Sequence, residues 1–148
     1  MTARATRGFT VTEVLTALVV IAVLAAISIP TWRTHLLRVR RAEARDALTA
    51  LQAAQDRWFG QHARYATGAQ LTALAPDGLG LPATTAHGLY AITLDTSADG
   101  LGYFATARAV PSAGQEADDR CATFTIDHVA QMSAADSSGT DRSADCWH

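Results

Sequence analysis

Lysine is absent from this chain; its twelve basic residues are all arginine. Cysteine occurs only twice, at positions 121 and 146, and none of the five histidines (His35, His62, His87, His128, His148) stands at a metal-ligand spacing from either, which argues against a structural zinc site. Charged residues are few, at 18%, but aliphatic residues are plentiful, so the chain is not of a disordered class. No repeat with a period of 20–50 residues is present, which excludes a solenoid. Only one long apolar run exists, Val14 to Ile29, broken by nothing more polar than Thr16 and Ser28. One such run excludes a multi-span transporter. The 148 residues suit a single domain of ordinary size.

The net charge of −2 hides a split. Residues 1–45 hold seven arginines (4, 7, 33, 38, 40, 41, 45) against Glu13 and Glu43. Residues 46–148 hold five arginines (57, 64, 108, 120, 142) against twelve acids, a balance of −7. Such an acidic C-terminal part is a poor general nucleic-acid binder, because phosphate contacts need a dense basic face. The basic stretch Arg33–Arg45 reads first as a flank at lipid-headgroup level.

Phe9 to Ile29 would span about 31 Å as a helix, enough for a bilayer core. A cleaved secretory signal would end in a small-residue site, which Ala25-Ala26-Ile27-Ser28 imitates only loosely. The alternative is a single-span anchor. Glu13 suits neither reading. Four residues into an apolar helix, a carboxylate is costly, roughly 2.5–3.5 kcal/mol at a span centre and less near its end. Such a residue usually has a partner and a function.

Arg7-Gly8-Phe9-Thr10-Val11-Thr12-Glu13 resembles the processing site of type IV prepilins. In that family a short basic leader ends in glycine, a prepilin peptidase cuts after it, and the new N-terminal residue is N-methylated. The resemblance implies a leader over 1–8, cleavage between Gly8 and Phe9, and methylation of Phe9. Glu13 falls on the family's glutamate, fifth after the cut, and Pro30 stands where pilins often carry proline. Thr12 departs from the aliphatic residue usual at its place. The short leader is similar to that of the type IVa subgroup. In a dry fibre core the freed amine of Phe9 and the Glu13 carboxylate of a neighbouring subunit would pair, which would set register. Pro30, lacking an N–H, would kink or locally melt the helix. Counting arginines beside the span would place the C-terminal part in the cytoplasm. The family's orientation is the opposite, with the head periplasmic.

From Thr31 to Phe59 apolar positions recur at helical spacing: Leu37, Ala44, Leu48, Leu51, with Gln55, then Trp58. The reading is one helix from Phe9 to Phe59, kinked at Pro30. Residues 60–88, punctuated by Gly60, Gly68, Pro76-Asp77-Gly78, Gly80, Pro82 and Gly88, form a connecting loop with one short helix at Gln70–Leu74. Leu89–Thr96 and Tyr103–Val110 alternate around Ala98–Gly102 and read as a hairpin; Cys121–Asp127 alternates too, and a short strand around Ala130–Ser133 is expected. The fold class is α+β: a long N-terminal helix packed on a sheet of three to four antiparallel strands. Its divisions are a leader (1–8), an apolar transmembrane and assembly helix (9–30) and a globular head (31–148: helix 31–59, loop 60–88, sheet and disulfide region 89–148).

A bridge between Cys121 and Cys146 would close a loop of 24 residues, worth about 3.5 kcal/mol in the chain-entropy model. It would match the pilin region in which a disulfide pins the C-terminal segment. The ending Cys146-Trp147-His148 is similar to that of PilE-like and ComP-like minor pilins. The polar loop Ser133–Asp145 is an expected contact surface.

The implied function is a minor pilin, inserted in the inner membrane, processed, and carried into an extracellular fibre serving motility, adhesion or DNA uptake. The implied partners are other pilin subunits, the peptidase and the inner-membrane assembly machinery. A DNA-uptake receptor is the first alternative, with Arg108, Arg120 and Arg142 as candidate DNA contacts. A type II secretion pseudopilin is the second. Ser, His and Asp occur in no catalytic order, so no enzyme and no cofactor is expected. Asp95–Gly100 imitates the start of a calcium loop, but Thr106 stands where the closing glutamate belongs.

Overall fold

Between Thr31 and Phe59 the chain has neither glycine nor proline and is rich in alanine, so nothing local interrupts a helix. In the computed structural model, which describes residues 10–147 apart from the side chains of 28–31 and 33, helix α1 runs Val11–His62. Its backbone stays helical through Pro30. It also outruns the expected end at Phe59, taking in Gly60. One glycine costs a helix only about 1 kcal/mol, and here the stop comes at Ala63. That residue turns to φ 55°, and its N–H still donates to the Phe59 carbonyl at 2.8 Å. The chain divides into two units, residues 1–36 and 37–148.

In the first unit the described side chains of α1 from Val11 to Ile27 are mostly apolar, with Thr12, Glu13 and Thr16 the polar ones, and all but Ala25 are exposed. Among the described residues no helix is long and apolar enough to cross a membrane. The span expected over 9–30 takes in Phe9 and the side chains of 28–30, which lie outside the described residues.

The second unit has one core. Ala44, Leu48, Leu51, Gln55 and Trp58 are the buried face of α1, as their spacing of four and three predicts. Fully burying Leu48 and Leu51 contributes about 1.5–3 kcal/mol each. They join one apolar cluster with Tyr90, Ile92, Leu94, Tyr103, Phe124 and Ile126. These come from an antiparallel sheet, β1 (Tyr90–Thr96), β2 (Tyr103–Ala109), β3 (Thr123–Asp127) and β4 (Met132–Ala135), ordered β1-β2-β3-β4. Alternation puts every second residue in the core and the others outside. The outer face carries a hydroxyl row, Thr93, Thr106, Thr125 and Ser133, which follows from the register.

The loop 63–89 holds a 3-10 turn at Gly68–Gln70, not a helix at Gln70–Leu74. Gly78 permits its fold: a Cβ there would lie 2.3 Å from the Gln70 carbonyl oxygen and 2.5 Å from that of Ala73. Cys121 lies in a 3-10 turn, Asp119–Cys121, two residues before β3. β4 begins two residues later than expected. The Asp127 carboxylate accepts from the N–H groups of Val129 and Gln131, closing a tight turn over residues that had been assigned to the strand. A short helix α2 (Ser143–Cys146) ends the described chain.

Candidate functional site

The prepilin motif falls in two parts. Gly8 and Phe9 lie outside the described residues. Glu13 is in the first turn of α1, exposed, and its N–H donates to the Thr10 carbonyl at 3.1 Å and the Thr10 hydroxyl at 3.3 Å. Thr10 thus serves as an N-cap. The Glu13 carboxylate suits the positive end of the helix dipole. Around it lies bare apolar surface, Val11 at 77% exposure and Val14 at 48%. Pro30 lies within α1, and nothing is described of its side chain.

At the other end of the chain, Cys121 and Cys146 form a disulfide with Cα atoms 5.9 Å apart. It fastens α2 beside the free edge of β4. The Arg142 N–H donates to the Ala134 carbonyl at 2.8 Å, and Ala134 N–H donates to the Ser143 hydroxyl at 2.9 Å. The Trp147 indole packs edge-on against Phe124, centroids 5.7 Å apart, and its N–H donates to the Ser133 carbonyl at 2.8 Å. Arg45 of α1 reaches the Trp147 carbonyl at 3.2 Å. The polar loop left between β4 and α2 is residues 136–142, shorter than the expected Ser133–Asp145. Its centre is the Asp136 carboxylate, which accepts from the Ser138 hydroxyl and the Ser138 and Thr140 N–H groups. The Ser138 hydroxyl first, then the Thr140 N–H and Arg142, hold that carboxyl down at about 2.

The three candidate DNA contacts do not form one free patch. Arg108 is exposed on the outer sheet face, beside Thr123, with no ion pair among the described residues. Arg120 pairs with Asp145 at 3.6 Å, and Arg142 with Asp136 at 3.2 Å. A fourth cation was missed in the sequence. Arg64, just past α1, lines a polar cleft of about 380 Å³ with Thr67, Gln70, Thr96, Ser97 and Asp99. The signal was Gly100 in the hairpin turn. It sits at φ 72°, and its carbonyl accepts from Tyr65 N–H at 2.9 Å, which draws Arg64 onto the turn.

A buried polar network fixes the loop before β3 to α1. Arg41 grips Asp118 with two hydrogen bonds, 2.7 and 2.8 Å. The Gln115 amide donates to Asp118, to the Tyr90 hydroxyl and to the Leu37 carbonyl. Burial, then the Asp118 charge, pushes the Tyr90 hydroxyl above the ordinary tyrosine range. Breaking such a pair from one side costs about 3–5 kcal/mol, so the network is a fastening. Among the described residues no group of acids, histidines and cysteines could hold a metal.

The long helix, the four-stranded meander and the bridged C-terminal segment are the parts of a pilin. A family model described as "Type IV minor pilin ComP, DNA uptake sequence receptor" matches residues 30–125. The chain belongs to this family of type IV minor pilins. It is similar to the type IV major pilin protein PilA of Myxococcus xanthus, 37% identical over 71 residues. That match covers 48% of this chain and 32% of the relative, so the chain spans about a third of the curated relative's length. A solved type IV pilin from Shewanella oneidensis is 21% identical, covering 76% of this chain and 98% of that one, with a TM-score of 0.48. The minor pilin is thus a structural subunit type, associated with pilus and membrane.

Proposed function

We propose that this minor pilin is made with a leader over residues 1–8, cut after Gly8 by a prepilin peptidase, and N-methylated on Phe9. Residues 9–30 hold it in the inner membrane with the head periplasmic; the assembly machinery then moves it into an extracellular fibre. The observation that carries this reading is the exposed, mainly aliphatic surface of α1 from Val11 to Leu24, with Glu13 as the one acid in it. Exposed apolar area on that scale requires lipid or other subunits as cover. Glu13 then pairs with the amine of Phe9 on a neighbour, because neither charge is stable alone in a dry core. Glu13→Ala is expected to leave cleavage intact and to deplete the subunit from sheared filaments. Normal incorporation of that variant would contradict the pairing.

A second reading makes the head a receptor for extracellular DNA, and the family's description favours it. On this reading Arg108 and Arg64, which have no ion pair among the described residues, supply phosphate contacts, Arg64 from a cleft that also holds Asp99, while Arg120 and Arg142 are first released from Asp145 and Asp136. Binding would be weak and salt-sensitive against the balance of −7 over residues 46–148. Arg108→Ala should lower the affinity of the full chain for duplex DNA and reduce the salt slope by about one. Unchanged affinity and slope would remove Arg108 from the contact.

A further inference from the structure

An apolar groove lies beside α1 in the head. Ala47 and Ala50 of the helix, Leu81 and Pro82 of the loop, and Ile92 of β1 line it, and its volume is about 320 Å³. Two acids, Glu43 and Asp46, also face it. Asp46 is exposed and has no ion pair among the described residues. The volume is at the low end for ligand pockets, which run about 300–1,000 Å³. That is room for one large side chain.

Elsewhere on α1 a large side chain is bare. Trp32 is 68% exposed, its ring tilted against that of His35 at 6.3 Å between centroids. A tryptophan just beyond an apolar segment is at home at a lipid interface. Once the helix leaves lipid, that cover is lost.

We infer that the groove receives Trp32 of a second copy of this chain in the assembled fibre. The inference rests on the fibre reading given above. The apolar lining suits an indole, which buries about 150–250 Å² and dominates the contacts it enters. The charges match as well. Trp32 is followed by Arg33, Arg38 and Arg40, while the groove presents the exposed Asp46; Glu43 beside it is engaged by His87. Arg38 is exposed, with no ion pair among the described residues. A side chain on one copy entering a groove on the next makes a head-to-tail contact. Such contacts build an open filament when the rotation between copies does not close a ring.

The test is a cysteine pair in cells lacking the natural copy. Two forms of the full chain are expressed together, one Trp32→Cys and the other Ala50→Cys, and sheared filaments are oxidised. Ala50 is exposed at the groove, so its replacement leaves the core intact. A control couples Trp32→Cys with Thr93→Cys on the outer sheet face. The expected result is a cross-linked dimer for the groove pair well above the control, its linked peptides confirmed by mass. Subunit present in filaments without that dimer, or with equal dimer in both pairs, overturns the inference and leaves the fibre reading standing. Absence of the subunit from the sheared fraction overturns both. Trp32→Phe, which keeps a ring, should enter filaments several-fold better than Trp32→Ala; equal entry would speak against a seated aromatic.

Discussion

Gln55 occupies a position on α1 where the helical period places apolar side chains, and it is fully buried. Its amide donates to the Ala66 carbonyl at 3.0 Å, and its carbonyl accepts from Ala66 N–H at 2.8 Å. The loop leaving the helix thus has its buried backbone groups satisfied by one side chain, where unpaired groups would cost about 1–3 kcal/mol each. Asp136 does the same for the loop before α2. Its carboxyl, held down to about 2 from 3.8, stabilises that loop at every pH above the unfolded value. The stabilisation is lost as pH falls through the folded value. Asp141, held low by the Ser143 hydroxyl and then the Ser143 N–H, acts in the same direction. The protection of amides over residues 136–142, taken relative to the intrinsic exchange rate at each pH, should therefore be unchanged from neutrality down to about pH 4, then fall between pH 4 and pH 2. Asp136→Asn should remove most of that fall; an identical acid profile in the variant would contradict the assignment.

At the scale of elements, α1 ends on an alanine in the left-handed region, where glycine is the usual choice. The left-handed conformation costs an L-residue about 1–2 kcal/mol, and glycine's freedom in the unfolded chain returns about half of it. Ala63→Gly is therefore expected to stabilise the head by about 0.5 kcal/mol, a rise of roughly 2–4 °C in Tm. A fall in Tm would show that Ala63 is held by contacts worth more than the strain. The elements themselves were readable because each has a period: four and three along α1, two along β1, β2 and β3. Their ends were not. Gly60 looks like a stop but is tolerated, and the Asp127 turn displaces β4 by capturing two N–H groups that a strand pattern leaves uncommitted. The Arg41–Asp118 grip joins residues 77 positions apart, so no local pattern announces it. Arg120 and Arg142 looked like free cations because their carboxylate partners become neighbours only once the Cys121–Cys146 region folds.

Taken whole, the molecule is a cationic, apolar-surfaced N-terminal stretch and an acidic head with a complete core. The head's apolar cluster is closed by α1, the sheet and the bridged segment. The N-terminal stretch has no such closure among the described residues, and this asymmetry is the basis for assigning the chain to a fibre. The central claim is processing after Gly8 followed by assembly. The most direct test is mass spectrometry of filaments sheared from cells that make the protein. The account predicts a peptide beginning at N-methylated Phe9, together with Cys121 linked to Cys146, in the sheared fraction. Recovery only of a chain that keeps Met1–Gly8, in the membrane and not in filaments, would contradict it.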